Sequence, residues 1–100
     1  MGEQNTETVG FVTADSETAA VSIVIPVFNE EDGVEQTLNE LHQVLRQAHC
    51  TYEIVVVDDG SRDRTADILS TRIDIQLIQH RRNRGYGAAL KSGIAHAKYP

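Results

Sequence analysis

Apolar positions follow two different periods along the chain, and the shorter period predicts three strands. A β-branched run over residues 21–27 predicts a buried strand, and residues 52–57, which end in an unbroken aliphatic run over residues 54–57, predict a second. The second run offers no polar face, which is typical of a strand inside a parallel sheet. Residues 73–78 alternate apolar and polar positions and predict a third strand. Its expected inward positions are Ile73, Ile75 and Leu77.

Between and after these strands, the apolar positions recur at helical spacing. A first helix is expected to begin at Asn29, whose side chain can cap it, and to end near His49. Residues 65–71 predict a short second helix, and residues 88–97 predict a third. The expected inward positions are Val34, Leu38, Leu41, Leu45 and Ala48 on the first helix, and Ala89, Leu90, Ile94 and Ala97 on the third.

The resulting order is β-α-β-α-β-α, which predicts an α/β fold with a parallel sheet between helices, in three layers. Ligands of such folds bind at the carboxyl ends of the strands. Three polar segments fall at those ends: the first polar segment is residues 28–32, the second is residues 58–63 and the third is residues 80–87. We therefore expect these three segments to build the binding site.

Residues 1–20 differ in composition from the rest of the chain. Their acidic side chains are accompanied by no Lys or Arg, and they show little hydrophobic periodicity, which predicts a disordered acidic leader ahead of a domain over residues 21–100. The chain start has neither the basic residues nor the apolar run of a signal peptide. No apolar stretch approaches the roughly 20 residues that cross a bilayer. These features predict a cytoplasmic location. For a longer form of the protein, the prediction extends to the cytoplasmic face of a membrane.

Charge and cysteine content narrow the function further. The net charge of −6 argues against nucleic acid as a partner, because a phosphate backbone requires a basic face. Cys50 is the single cysteine, so an internal disulfide is excluded and a reducing compartment is favoured. The four histidines have no spacing typical of a zinc site. We expect no metal site within these residues.

The first polar segment follows Pro26, which ends strand pairing because it has no N–H to donate. Phe28 supplies an aromatic face and Glu30 supplies a carboxylate near the expected start of a helix. Taken alone, these residue types favour a structural interpretation, in which the segment only caps and packs a helix.

The second polar segment begins with two adjacent carboxylates, Asp58 and Asp59. Carboxylates at this edge can accept hydrogen bonds from a nucleobase or from ribose hydroxyls, and they can also help to hold a metal ion. An Asp-Gly turn without a ligand is the alternative. Two carboxylates directly after an all-valine strand favour a functional role, since charges at this edge are costly unless they are used.

The third polar segment combines glycines with positive charge. Gly85 and Gly87 allow the backbone to approach a ligand, and the start of the following helix attracts anions. Arg84 and Lys91 add positive charge, with Lys91 about one turn inside the helix. A solvated basic loop is an equally good interpretation. The glycines form neither a Walker loop nor a G-x-G-x-x-G fingerprint, so a P-loop ATPase or an NAD dehydrogenase is not supported.

Taken together, the three segments resemble the inverting glycosyltransferases of family 2, which have the GT-A fold. The similarity rests on VSIVIPVFNE at residues 21–30, IVVVDDGSRDRT at residues 54–65 and NRGYGAALKSG at residues 83–93. Within the family, the chain is similar to the polyprenyl-phosphate sugar transferases of the dolichol-phosphate mannosyltransferase type. The resemblance implies that the chain is the N-terminal, Rossmann-like, nucleotide-binding half of a truncated GT-A domain.

The resemblance also implies roles for individual residues. It implies that Pro26, Phe28 and Glu30 line a pocket for the base and the ribose. Asp59 would contact the base, and Asp58 would support its loop.

Arg84 and Lys91 would lie towards the base and the diphosphate. The implied reaction transfers a hexose from UDP- or GDP-sugar to an acceptor, with a polyprenyl phosphate expected. The family's D-x-D element, which holds Mg²⁺ or Mn²⁺, is expected beyond Pro100, so the fragment alone is expected to be inactive and to self-associate through its incomplete sheet. The alternatives are a non-catalytic α/β module that binds a nucleotide or a partner and, less favoured, a sugar-phosphate nucleotidyltransferase.

Overall fold

The computed structural model describes residues 10–13 and 20–99, which form one sheet with helices on both faces. The elements are β1 (Gly10–Thr13), β2 (Ala20–Val27), α1 (Val34–Gln47), β3 (Thr51–Asp59), α2 (Thr65–Ser70), β4 (Gln76–His80) and α3 (Tyr86–His96). Strands β2, β3 and β4 are parallel and lie in chain order, and β1 pairs antiparallel with the free edge of β2. The parallel α/β arrangement confirms the predicted fold class.

The central strands are apolar on both faces because helices cover both faces. The isoleucines of β2 and β3 point towards α1 and α2, where Leu38 and Leu69 are fully buried. The alternate positions Val24, Val55 and Val57 point towards α3. The sheet therefore separates two apolar layers.

Helix α3 packs closely on the sheet because its inner face carries very small residues. Ala89 and Gly93 are the buried residues of this helix. A Cβ built on Gly93 would lie 2.2 Å from Cγ1 of Val24 and 3.1 Å from Cγ2 of Val57, so the helix backbone itself contacts the strands. This close packing fixes the height at which the start of α3 meets the carboxyl edge of the sheet.

Part of the predicted leader forms strands. Its last residue, Ala20, begins β2, and residues 10–13 lie in a strand of their own. These residues form β1, in which Gly10 lies opposite Val24 and Thr13 lies opposite Val21. The physical reason is the edge of β2, whose unpaired N–H and C=O groups can recruit a short β-prone run. The remainder of the predicted leader, residues 1–9 and 14–19, lies outside the described residues.

The third parallel strand begins later than the alternation indicates. Ile73 was expected to point inward, but it is 99% exposed. Arg72 donates from Nε and Nη2 to the two carboxylate oxygens of Asp74, at 2.9 and 2.6 Å, and this pair holds a bend ahead of β4. The other expected inward residues, Ile75 and Leu77, do pack against the core.

The helix boundaries also differ from the expectation. Helix α1 begins at Val34 and follows Gly33, so Asn29 does not cap it. Helix α3 begins at Tyr86, and Ile94, which was expected to point inward, is half-exposed. Ala48 and Ala97 lie one residue beyond the ends of their helices. Within the described residues, no helix has both the length and the apolar character that a membrane span requires.

Candidate functional site

A pocket of about 290 Å³ opens at the carboxyl edge of the sheet, where the three polar segments meet. It is lined by four of the residues singled out from the sequence, namely Pro26, Phe28, Glu30 and Asp59. Asn83, Gly85 and Tyr86 of the third polar segment line it as well. The fold therefore brings residues from three separate parts of the chain to one site.

A larger cavity of about 470 Å³ lies at the opposite end of β3, beside Tyr52 and Glu53. His42 and Arg46 of α1 and Asp74 also line it. None of the three polar segments reaches this cavity. We therefore assign the candidate chemistry to the smaller pocket, which lies where parallel α/β sheets bind their ligands.

Asn29 joins the first polar segment to the second. Its backbone has a φ of 54°, and its N–H donates to Ser61 Oγ at 2.8 Å. Its side-chain oxygen accepts hydrogen bonds from the N–H groups of Arg62 at 2.8 Å and Asp63 at 3.4 Å. Asparagine tolerates this left-handed conformation better than most residues. The turn that follows Phe28 is thus fixed by the neighbouring segment.

The next residues extend this linkage. The N–H of Glu30 donates to Thr65 Oγ1 at 2.8 Å, and the N–H of Glu31 donates to Asp63 Oδ2 at 3.2 Å. In return, the N–H of Arg64 donates to Glu31 Oε1 at 2.8 Å. Asp63 also accepts from the N–H and the hydroxyl of Thr65, the first residue of α2. The backbone that carries Phe28 and Glu30 is therefore held rigidly at the rim of the pocket.

The two adjacent aspartates have different surroundings. Asp58 is buried, and its Oδ1 accepts a hydrogen bond from the N–H of Ser61 at 3.1 Å. This bond stabilises the turn at the start of the second polar segment. Asp59 is 4% exposed and lines the pocket. Its Oδ1 accepts from His80 Nδ1 at 2.7 Å and from the N–H of Arg84 at 2.9 Å. Its Oδ2 accepts from the N–H of Gly85 at 2.9 Å, so this carboxylate organises the third polar segment.

These contacts also set the protonation of Asp59. Burial alone would raise its pKa, but the hydrogen bonds from His80 and from the N–H groups of Arg84 and Gly85 outweigh burial. The pKa of Asp59 therefore lies below its ordinary value of 3.8. The carboxylate is charged at neutral pH and attracts the ring proton of His80.

We expect the chain to lose stability in acid through this carboxylate. A lowered native pKa stabilises the fold above the ordinary value of 3.8, and that contribution is lost as the pH falls from 3.8 through the native pKa. Urea unfolding between about pH 6 and pH 3 would measure the loss. Asp59→Asn should make the free energy of unfolding depend less steeply on pH in this range. Leu45→Ala should lower the free energy of unfolding at every pH and leave its dependence on pH unchanged. Equal slopes for the wild type and Asp59→Asn would contradict this assignment.

Three residues predicted for the site do not line the pocket, namely Asp58, Arg84 and Lys91. Arg84 is exposed, and its described contact is the backbone N–H that donates to Asp59. Lys91 is exposed on α3, whose first turn borders the pocket through Tyr86. Their roles towards a diphosphate stay predictions. Both supply positive charge near a helix start, where the helix dipole also favours an anion.

Sequence reasoning missed three residues of this site. Asn83 and Tyr86 line the pocket, and His80 lies behind it in contact with Asp59. All three belong to the third polar segment, but only its glycines and cations were singled out. The signal for His80 was its position at the carboxyl end of the third parallel strand, level with Asp59 on the neighbouring strand.

The carboxylates of the site do not form a metal centre. Across residues 10–13 and 20–99, no group of three or more histidine, cysteine, aspartate or glutamate side chains is placed to hold a cation. Oδ1 of Asp58 and both oxygens of Asp59 already accept hydrogen bonds from N–H groups of the protein. The described residues therefore do not fit a site for Mg²⁺ or Mn²⁺.

Fold and site together define an α/β protein with a pocket at the carboxyl edge of a parallel sheet. Comparison with known families matches residues 22–100 to glycosyl transferase family 2. This match covers most of the chain, so the chain belongs to glycosyl transferase family 2. The resemblance stated from the sequence is confirmed.

Individual relatives are found in bacteria and in eukaryotes. The chain is 42% identical over 83 residues to an undecaprenyl-phosphate 4-deoxy-4-formamido-L-arabinose transferase of Pseudomonas fluorescens, covering 78% of the chain and 24% of that protein. It is 37% identical over 102 aligned positions to a dolichyl-phosphate beta-glucosyltransferase, ALG5D, of Trichomonas vaginalis, covering 92% of the chain and 31% of that protein. It is 40% identical over 85 residues to an uncharacterized glycosyltransferase, sll0501, of Synechocystis, covering 81% of the chain and 27% of that protein. The chain thus spans about a quarter to a third of these relatives.

Proposed function

We propose that this chain is the part of a sugar transferase that binds the nucleotide of an activated sugar donor. The transferase moves a hexose from a UDP- or GDP-sugar to a polyprenyl phosphate. The observation that carries the proposal is the pocket in which Phe28, Glu30, Asp59 and Tyr86 converge. Family membership supports sugar transfer as the chemistry.

The pocket offers a suitable group for each part of a nucleotide. Phe28 and Tyr86 are both partly exposed and provide aromatic faces on which a base can stack. Glu30 provides carboxylate oxygens for ribose hydroxyls. The diphosphate would then lie towards the start of α3, near Arg84 and Lys91.

The proposed acceptor rests on the relatives. The printed names of two of them contain undecaprenyl phosphate and dolichyl phosphate, which are both polyprenyl phosphates. Transfer also requires a base for the acceptor and charge neutralisation at the leaving diphosphate, for which a divalent cation is expected. We propose that these groups come from parts of a transferase other than residues 20–99, and that these residues alone transfer no sugar. Self-association of the chain stays a prediction.

The alternative is a non-catalytic module that binds a nucleotide or a partner. Both hypotheses predict nucleotide binding, so binding does not separate them. Transfer of a radiolabelled hexose to a short polyprenyl phosphate by a chain of the relatives' length would support the enzyme. Nucleotide binding by that longer chain, with no transfer to any polyprenyl phosphate, would favour the module.

We expect a titration of ¹⁵N-labelled chain with UDP and with GDP to locate the pocket. Amide shifts should concentrate at Phe28, Glu30 and residues 83–86, with one nucleotide preferred. Asp59→Asn should weaken binding by about tenfold or more, because charged hydrogen bonds contribute roughly 1.5–3 kcal/mol. Asp67→Asn removes an exposed carboxylate of α2 outside the pocket and should leave the affinity unchanged. Shifts centred on Tyr52 and Asp74, or none with millimolar nucleotide, would refute the proposed pocket.

A further inference from the structure

His80 lies at the centre of a hydrogen-bonded chain that joins β3, β4 and α3. Its Nδ1 lies 2.7 Å from Asp59 Oδ1, and its Nε2 lies 2.8 Å from Ser92 Oγ. The side chains of His80 and Asp59 are only 5% and 6% exposed. His80 does not line the pocket, so a direct contact with a ligand does not explain this arrangement.

We propose that His80 is a positioning residue, which locks the Asp59 carboxylate so that it holds the backbone of Arg84 and Gly85 at the pocket. The consequence for ligand binding rests on the proposed function, whereas the positioning itself does not. His80 lies at the carboxyl end of β4, directly opposite Asp59 in the parallel register. The sheet itself therefore sets this contact.

The two contacts define which ring nitrogen carries the proton. A carboxylate only accepts hydrogen bonds, so Nδ1 of His80 must carry a hydrogen and donate it to Asp59. In the neutral ring, Nε2 is then an acceptor and receives the hydroxyl hydrogen of Ser92. The Ser92 hydroxyl can donate to this nitrogen, so it is compatible with the tautomer that Asp59 requires.

Counting acceptor sites indicates what this fixed carboxylate does. A carboxylate has about four lone-pair sites, and three donors already contact Asp59. The ring of His80 and the two backbone N–H groups approach from different directions, so the carboxylate cannot rotate without breaking one of these bonds. About one site is left for a donor from a ligand, and its direction is set by the other three.

Two amide substitutions of His80 separate positioning from a general loss of structure. The side-chain nitrogen of asparagine can take the place of Nδ1, whereas that of glutamine reaches towards Nε2. Hydrogen exchange of the Arg84 and Gly85 amides, in the absence of ligand, reports directly on their bonds to Asp59. H80N should keep this protection within about threefold of wild type, and H80Q should lower it by at least about tenfold. S92A should keep the hydrogen on Nδ1 in long-range ¹⁵N spectra, with only a small change in amide protection, because the contact with Asp59 sets the tautomer.

Nucleotide titration of the same variants tests the consequence for the pocket. H80Q should lower the affinity for the preferred nucleotide by about tenfold, and H80N should lower it by less than threefold. Leu45→Ala, a destabilising change in the distant α1 core, should leave the affinity unchanged although it lowers the unfolding midpoint. If the wild-type chain does not bind nucleotide, the proposed function is refuted. The hydrogen-exchange data would still decide whether His80 is a positioning residue. Unchanged protection in H80Q, or equal losses in H80N and H80Q, would overturn the inference.

Discussion

Gly60→Ala should both destabilise the chain and displace the third polar segment. Gly60 has a φ of +76°, which an alanine adopts at a cost of roughly 1–2 kcal/mol. Its new Cβ would also lie 2.3 Å from the carbonyl carbon of Arg82 and 2.4 Å from the nitrogen of Asn83. These are backbone atoms, which cannot give way as a flexible side chain would. We expect a loss of about 3 kcal/mol or more in the free energy of unfolding, measured by urea denaturation.

Alanine substitutions at two other glycines distinguish the cost of backbone strain from the cost of steric collision. Gly85→Ala carries backbone strain at a φ of +99°, but its Cβ would meet nothing within 4 Å. Gly33→Ala would meet nothing within 4 Å either, and its φ of −131° is open to any residue. Stability should therefore fall most for Gly60→Ala, less for Gly85→Ala and least for Gly33→Ala. If Gly85→Ala costs as much as Gly60→Ala, the contact between the second and third polar segments contributes nothing.

The same contact explains a second expected result of Gly60→Ala. The backbone of Arg82 and Asn83 must retreat from the new methyl group, and it is continuous with the N–H groups that Asp59 holds. We expect the amide signals of Arg84 and Gly85 to shift and their protection from exchange to fall. The nucleotide affinity should fall with them, because Asn83 and Gly85 line the pocket.

The fold was predictable because its signals are local. Residues 54–57 are apolar on both faces because both faces of β3 are covered, and that pattern needs no knowledge of the neighbours. The start of β4 was not predictable, since the Arg72–Asp74 pair bends the chain through an alternating stretch. Strand β1 was missed because its partner edge on β2 is not visible in the residues 10–13 themselves.

The site was predictable in its location and less so in its contacts. The carboxyl ends of parallel strands meet at one edge, so Pro26, Phe28, Glu30 and Asp59 were placed together by topology alone. What the sequence could not show is the partner of each polar atom. Asn29 was expected to cap a helix, but it binds the second polar segment instead. Asp59 was expected to contact a base, and most of its acceptor sites are used within the chain.

The three polar segments are thus one interlinked unit, which suits the proposed role in nucleotide binding. A nucleotide has several polar groups that need partners in the protein. If those partners are already oriented, binding does not have to order the loops, which would cost free energy. Asn29 fixes the first segment to the second, and Asp59 fixes the second to the third. Only the side chains at the rim, such as Phe28 and Tyr86, remain accessible for adjustment.

Gly93→Ala should produce the other large effect, through the packing of α3 on the sheet. A Cβ at this position would lie 2.2 Å from Cγ1 of Val24, and valine is too stiff at χ1 to move aside within a strand. Alanine has the higher helix propensity, by about 1 kcal/mol, so propensity alone predicts stabilisation. Overpacking of this severity costs roughly 1–3 kcal/mol or more and should outweigh it. We expect a lower urea midpoint, and a displaced start of α3 that also weakens nucleotide binding.

The same helix provides the matched control. Gly87→Ala gains the same helix propensity, and its Cβ would meet nothing within 4 Å, so this variant should be as stable as wild type or more stable. Val24→Ala removes the colliding methyl group and should recover part of the loss in the Gly93→Ala background, which a double-mutant cycle measures as a favourable coupling. If Gly93→Ala and Gly87→Ala changed stability alike, α3 would not lie against β2 at this distance. The position of the start of α3 would then have to be set by the hydrogen bond between His80 and Ser92 and by the backbone bonds to Asp59 alone.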